Sequence, residues 1–257
     1  MATHLTDPSD PVPGLLRISD SRAFAPTAAA WLALLLQRAP GDRAAIHLAL
    51  SGGSTPGPVY ERLALQAGLS WERVRVYFAD ERCVPPDDPA SNYRLARETL
   101  LSRIPVPAHH VFRMEGERSD VAAEASRYEG LLPGRLDVLV LGIGSDGHTA
   151  SLFPGAETVG ETRRRVLPAR SPIEPRRRLT ITPPVIRQAR QVVVLARGEE
   201  KASAVQLALE GPVLPRACPA RLARRGTWIL DEAAACRLSA ATRRRDRGPE
   251  SNRAVRR

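Results

Sequence analysis

The feature that most constrains the fold of this chain is an apolar run that leads directly into a glycine-rich polar loop. Residues 138–141, VLVL, show no polar alternation, which is typical of a strand buried on both faces of a parallel sheet. The glycines at 142 and 144 allow a sharp turn and the close approach of a ligand. His148 follows at the strand end where open parallel sheets bind ligands, so its position predicts a chemical role.

This glycine pattern does not predict a dinucleotide site. That fingerprint requires an acidic residue at the end of a following strand about twenty residues further on, and no such residue is present here. The longer string from 142 to 155, GIGSDGHTASLFPG, is much more specific than the two glycines alone.

Apolar strands alternate with helical segments along the whole sequence. This pattern predicts an α/β fold with one doubly wound, mostly parallel sheet and helices on both of its faces. We expect a single domain over residues 15–240, a flexible lead-in over 1–14 and a basic, disordered tail over 241–257. The expected strands are 44–50, 74–78, 136–141, 178–182, 191–196 and 227–230, and the expected helices are 21–38, one after residue 56, 91–103, 120–132, 184–189 and 199–209.

The composition of the 257-residue chain excludes several classes of protein. There is no run of about eighteen apolar residues, so no membrane span is expected. The N-terminus lacks the basic and apolar regions of a signal peptide, and we therefore expect a cytoplasmic protein. The three cysteines form no close pair and the histidines show no ligand spacing, so neither a disulfide framework nor a metal site is expected.

The net charge of +10 suggests a nucleic-acid partner, but its distribution does not support one. Residues 243–257 contain seven arginines against two carboxylates, so +5 of the +10 lies in the tail. Few aromatic residues accompany the remaining basic residues, and we expect no specific nucleic-acid binding. Lys201 is the only lysine in the chain. It is present either by chance or because its point charge contacts a phosphate group.

A hydroxyl- and glycine-rich loop, SGGSTP at residues 51–56, separates a predicted strand from a predicted helix. Its backbone amides and hydroxyls can surround a phosphate group at the positive end of the helix. We therefore expect Gly52, Gly53, Ser54 and Thr55 to bind phosphate. The alternative is a tight turn in which Ser or Thr only caps the helix.

Two further strand ends carry charged groups. Asp80, Glu81 and Arg82 follow one strand and suit contact with substrate hydroxyls, although an exposed charged loop is the alternative. Lys201 lies in the first turn of a helix after another strand, where a nearby anion would offset its opposition to the helix dipole. Arg178 could act similarly at a strand start. The ends of four predicted strands therefore carry polar or charged groups. In a parallel sheet, these four ends lie at the same edge.

Together these motifs resemble a known family. The strings SGGSTP, DERCVPPDDPASNY, LGIGSDGHTASLFPG and GEEKA occur in the order found in the 6-phosphogluconolactonase branch of the glucosamine-6-phosphate isomerase/6-phosphogluconolactonase family, over roughly residues 20–235. The resemblance implies a fold like that of glucosamine-6-phosphate deaminase and ribose-5-phosphate isomerase. It also implies hydrolysis of 6-phospho-D-glucono-1,5-lactone in the oxidative pentose phosphate pathway, without a metal or an organic cofactor. We expect a monomer, with a weak homodimer as the alternative.

The resemblance also implies roles for the candidate residues. His148 would activate a water molecule as general base, and Asp146 would orient or polarise the imidazole. Backbone amides between 144 and 147 are candidates for stabilising the oxyanion, and the sequence does not assign them. The substrate phosphate would contact the glycine-rich loop and Lys201, and Arg178 or one of its neighbours at 176 and 177 would complete the charge. Arg82 would be a further substrate contact, while Asp80 and Glu81 would bind sugar hydroxyls or hold the loop.

Sister deaminases continue after the histidine as IAFNEPG and use its Glu in proton transfer. The sequence here continues as TASLFPG, which lacks that Glu and disfavours deamination. A sugar-phosphate isomerase or deaminase, or a sugar-phosphate binding protein without activity, remain the alternatives.

Overall fold

The centre of the fold is a six-stranded sheet in which all strands are parallel. The computed structural model describes residues 16–38 and 45–244. The strand order is β1-β9-β8-β5-β2-β3, formed by β1 (Leu16–Ser19), β2 (Ile46–Leu50), β3 (Val74–Phe78), β5 (Val138–Gly142), β8 (Gln191–Ala196) and β9 (Thr227–Asp231).

Helices cover both faces of this sheet, and the predicted doubly wound α/β architecture is confirmed. Between strands, the chain passes through short helices in the expected alternation, although several are shorter than predicted. The helices are α1 (Phe24–Gln37), α2 (Pro56–Ala64), α3 (Asn92–Thr99), α4 (Val121–Leu131), α5 (Pro183–Gln188), α6 (Ala202–Leu209) and α7 (Ala240–Arg243).

Two apolar cores, one on each face, explain why the central strand has no polar alternation. Successive side chains of a strand point to opposite faces of the sheet. On β5, Val138 and Val140 therefore pack with α1 and α2 on one face, while Leu139 and Leu141 pack with α4 and α6 on the other. All four are almost fully buried.

A second sheet of three antiparallel strands was not expected from the sequence. It contains β4 (Asp80–Arg82), β6 (Val166–Arg170) and β7 (Arg177–Ile181) in the order β4-β7-β6. The strand predicted at 178–182 is present, but it belongs to this sheet. β6 escaped prediction because it contains a proline and alternates with exposed residues, and β1 because it is only four residues long.

The flexible lead-in predicted over 1–14 and residues 245–257 of the predicted tail lie outside the described residues. The helix α7 includes residues 241–243, where the sequence predicts a disordered tail. Among the described residues, none of the helices is long and apolar enough to cross a membrane.

Candidate active site

Four loops meet in one cleft at the carboxyl edge of the large sheet. They follow β2, β3, β5 and β8, which are neighbours in the sheet order, so the predicted convergence is confirmed. The cleft has a volume of about 160 Å³. Its walls include the loop after β2 (the glycine loop, residues 51–56) and the loop after β5 (the histidine loop, residues 143–155). These two loops flank the point where the strand order reverses, the usual ligand position in such sheets.

The glycine loop is held at its base and presents unused backbone donors to the cleft. The Tyr60 hydroxyl donates to Ser51 O at 2.8 Å and accepts from Ser51 N at 3.0 Å. Within the described chain, the amides of residues 52–55 donate no hydrogen bond. Thr55 precedes α2, but its side chain forms no capping hydrogen bond, so helix capping does not account for a hydroxyl group at this position. Gly53 has a φ of 101°, which favours glycine.

Asp80 lies in the cleft wall and is buried, which excludes the exposed charged loop considered above. Its carboxylate accepts from Ser151 Oγ at 2.7 Å and from Asn92 Nδ2 at 3.1 Å. Asn92 Nδ2 also donates to the backbone oxygen of Asp80 at 2.8 Å. The orientation of the Asp80 carboxylate is therefore fixed from two sides.

Glu81 has a structural role at the start of α3. Its carboxylate accepts from the backbone amides of Arg82, Asn92 and Tyr93 at 2.7–2.8 Å and from Ser91 Oγ at 3.2 Å. Burial raises the pKa of Glu81, and the three amides oppose that effect. Of the two roles left open for Glu81, this geometry favours holding the loop over binding sugar hydroxyls.

The histidine loop pairs His148 with Asp146. The ring atom His148 Nδ1 lies 2.6 Å from Asp146 Oδ1, which also accepts from the His148 amide at 3.0 Å. A Cβ on Gly144 would overlap with both His148 Nδ1 and Asp146 Oδ1, so the pair requires glycine at this position. Burial raises the pKa of Asp146, but the hydrogen bonds from His148 outweigh burial and lower that pKa overall.

Phe153 contacts the other side of the histidine ring. The two ring centroids lie 4.9 Å apart with an interplanar angle of 42°. Phe153 is the fifth residue after His148, the position of the Glu in the deaminase string IAFNEPG. The histidine therefore has an aromatic neighbour in place of an acid.

Two of the candidate oxyanion donors form hydrogen bonds within the loop. Gly144 N donates to His148 O at 2.9 Å, and Gly147 N donates to Gly144 O at 3.0 Å. These two amides maintain the turn of the loop, and the assignment of oxyanion donors stays open.

Two cations, Arg82 and Lys201, line the cleft. Lys201 lies in the turn before α6 and forms no ion pair with any residue in the described ranges. Arg82 Nη1 donates to Ala90 O at 2.5 Å, and its buried Nε has no hydrogen-bond partner among the described residues.

Arg178 does not line the cleft; it lies opposite Arg82 in the β4–β7 register. Its Nε donates to Pro175 O at 2.7 Å. Burial and the neighbouring Arg82 lower the pKa of Arg178. Arg178 is thus a cross-strand neighbour of Arg82 on the same face of the small sheet, and its expected contact with phosphate stays a prediction.

Eight of the ten residues predicted for the site line the cleft, and Asp146 contacts one of them. Sequence reasoning assigned no role to Asn92, Ser151 or Tyr60. Asn92 and Ser151 stand inside the quoted motifs, but only the folded chain brings their side chains to Asp80.

In the described part of the chain, no group of three or more His, Cys, Asp or Glu side chains is arranged to hold a metal ion.

Comparison with known proteins agrees with this architecture. A family model described as "Glucosamine-6-phosphate isomerases/6-phosphogluconolactonase" matches residues 19–230. The chain is 38% identical to the 6-phosphogluconolactonase of Homo sapiens over 245 residues, covering 88% of this chain and 94% of the relative. It is 38% identical to that of Synechocystis over 215 residues, covering 77% and 87%.

Solved structures give the same result. The 6-phosphogluconolactonase of Trypanosoma brucei is 30% identical, with a TM-score of 0.77 and coverage of 88% of this chain and 99% of that one. A monomeric glucosamine-6-phosphate deaminase shares the fold, with a TM-score of 0.75 at 24% identity. The chain therefore belongs to the glucosamine-6-phosphate isomerase/6-phosphogluconolactonase family.

Proposed function

We propose that this chain hydrolyses 6-phospho-D-glucono-1,5-lactone to 6-phospho-D-gluconate, as in the oxidative pentose phosphate pathway. The observation that carries the proposal is that one cleft contains both an anion-binding side and a His–Asp pair. The glycine loop and Lys201 provide unused donors and an unpaired positive charge, and His148 lies in the same cleft. Relatives at 38% identity that are named 6-phosphogluconolactonase support the choice of substrate.

In the proposed mechanism, His148 acts as the general base. Asp146 accepts a hydrogen bond from the protonated Nδ1, which leaves the second ring nitrogen, Nε2, without a proton and able to accept one. Nε2 removes a proton from a water molecule as the water oxygen bonds to C1 of the lactone. The bond between C1 and the ring oxygen then breaks, and the histidine returns the proton to that oxygen. The products are a carboxylic acid, which ionises, and a free hydroxyl.

The other candidate residues bind the substrate in this proposal. Gly52, Gly53, Ser54, Thr55 and Lys201 hold the phosphate group, because backbone amides at a helix start and a lysine are well suited to phosphate. Arg82, with the charge of its cross-strand neighbour Arg178, contributes positive potential. Asp80 accepts a hydrogen bond from a sugar hydroxyl. The proposed state is a cytoplasmic monomer that requires no cofactor.

The proposal is tested by measuring the hydrolysis of freshly generated lactone, with the spontaneous rate subtracted, beside ammonia release from glucosamine 6-phosphate. We expect lactone turnover well above background and no ammonia. Ammonia release without lactone turnover would identify a deaminase, and binding of 6-phosphogluconate without either reaction would identify a binding protein. Either result would overturn the proposal.

A further inference from the structure

A buried set of polar side chains connects the histidine loop to the glycine loop. Ser151 belongs to the histidine loop, Asp80 begins β4, and Asn92 begins α3 beside the glycine loop. Their exposed fractions are 1%, 7% and 2%. We call these three residues the clamp. Because buried polar groups are costly unless they are paired, such a set is held in one arrangement by its own hydrogen bonds.

Both oxygens of the central carboxylate are used in the clamp. Ser151 Oγ donates to Asp80 Oδ2 at 2.7 Å, and Asn92 Nδ2 donates to Asp80 Oδ1 at 3.1 Å. A second bond from Asn92 Nδ2 to Asp80 O, at 2.8 Å, fixes the backbone as well as the side chain. The clamp thus ties the loop that contains His148 to the start of α3.

The glycine loop rests directly on the clamp. A Cβ on Gly52 would overlap with Oδ1 and Cγ of Asn92, so the asparagine amide occupies the space of a side chain at this position. Asn92 Oδ1 is buried, has no hydrogen-bond partner among the described residues and lies in the cleft wall. Movement of Asn92 relative to Asp80 would therefore shift the whole glycine loop relative to the histidine loop.

The histidine loop depends on the clamp because its backbone is strained between His148 and Ser151. Ala150 has a φ of 48°, a left-handed conformation that is uncommon for a residue other than glycine. Such a conformation persists only when its surroundings enforce it. Ser151 supplies that restraint, since its Oγ bonds Asp80 and its amide donates to Thr180 Oγ1 at 3.1 Å.

We propose that Ser151 and Asn92 are positioning residues that hold the histidine loop and the glycine loop at a fixed separation. A sugar phosphate bound by the glycine loop then presents its far end to His148. This inference rests on the proposed function. It adds that correct spacing, and not only the presence of each loop, determines affinity for ligands that reach both loops.

The test compares a ligand that spans both loops with one that needs only the glycine loop. Binding of 6-phosphogluconate and of inorganic phosphate is measured by calorimetry for wild type, Ser151→Ala, Asn92→Leu and the double variant. Leu matches the shape of Asn but cannot donate, and it adds no charge near the phosphate. Ser102→Ala is the control, because its exposed hydroxyl donates to Arg97 O, away from the cleft.

We expect each single variant to weaken 6-phosphogluconate binding by about tenfold, the effect of losing one hydrogen bond to a charged group, while phosphate binding stays within about twofold. The double variant should lose less than the product of the two single losses, because both variants act through Asp80. Thermal unfolding establishes that each variant is folded. Ser151→Ala removes only one hydroxyl and serves alone if Asn92→Leu does not fold.

Two results would overturn the inference. One is unchanged affinity for both ligands, and the other is an equal loss for both, which would indicate a general loss of structure. A wild-type protein without lactonase activity would instead overturn the proposed function. Wild-type activity combined with an unselective effect of the variants would overturn the clamp proposal alone.

Discussion

His148 Nδ1 lies 2.6 Å from Asp146 Oδ1, and Asp146 is only two residues earlier in the same loop. The bond assigns one ring nitrogen to Asp146 and leaves the other for the cleft. Because Asp146 also accepts from the His148 amide, the carboxylate fixes both the ring and the backbone. Two hydrogen bonds within a short local motif thus fix the orientation of the proposed base.

Replacing Asp146 with Asn tests this orientation. We expect kcat to fall by about 100-fold, since an amide can donate to Nδ1 and favour the wrong tautomer. A kcat equal to that of wild type would remove Asp146 from the mechanism.

The His148–Asp146 pair should also change how the stability of the fold depends on pH. Hydrogen bonds from His148 lower the pKa of Asp146 in spite of burial. A carboxyl group whose pKa is depressed by folding stabilises the fold above its unfolded pKa of about 4, and that contribution is lost as the pH falls through the lower folded value. The difference in Tm between wild type and Asp146→Asn should therefore shrink below this pH. A difference that persists in strong acid would contradict the assignment.

Gly144→Ala should damage the His–Asp pair without removing either partner. The added methyl group would overlap with His148 Nδ1 and Asp146 Oδ1, so one of the two side chains must move. We expect kcat to fall by about 100-fold, because misplacement of a catalytic group by about 1 Å costs that much. Gly134→Ala is the matched control, since a Cβ there meets nothing within 4 Å. Equal kinetics in the two variants would refute the packing argument.

Lys201→Ala should act on binding. The lysine lines the cleft and forms no ion pair with the described residues, which leaves its charge available to a phosphate group. We expect KM to rise about tenfold or more with kcat within about threefold, the effect of a lost charge-assisted hydrogen bond. Lys201→Arg retains the charge, and its KM should lie between those of wild type and Lys201→Ala. A large fall in kcat with an unchanged KM would argue against a phosphate contact.

Glu81→Gln should act on stability. The buried carboxylate accepts from three backbone amides and one hydroxyl at the start of α3, and a glutamine has only one acceptor oxygen. We expect a loss of about 1–3 kcal/mol in the free energy of unfolding, measured by denaturant titration. Glu98→Gln, on the exposed part of the same helix, is the control and should change little. A loss no larger than that of the control would contradict the structural role.

The sequence predicts those parts of the site that depend on neighbouring residues along the chain. The run at 138–141 and the glycines after it locate the histidine loop, and the string 51–56 locates the glycine loop. Parallel topology then brings both to one edge. Each of these inferences uses a local pattern with a defined geometric consequence.

Contacts between distant segments could not be predicted in this way. Ser151 and Asp80 are 71 residues apart, and their bond depends on the short strand β4, which is too polar to stand out as a strand. The charge of Arg178 suits a phosphate contact, but the sequence does not show its cross-strand pairing with Arg82 in the second sheet. The sequence also does not show that the amides of Gly144 and Gly147 form hydrogen bonds within their own loop.

The most direct test of the account measures lactone hydrolysis by wild type and His148→Ala side by side, with the spontaneous rate subtracted. If His148 is the general base, kcat should fall by about 10²–10⁴-fold while KM changes little, because the binding side of the cleft is intact. Thermal unfolding of both proteins establishes that the variant is folded. A folded His148→Ala protein that hydrolyses the lactone at the wild-type rate would contradict the account.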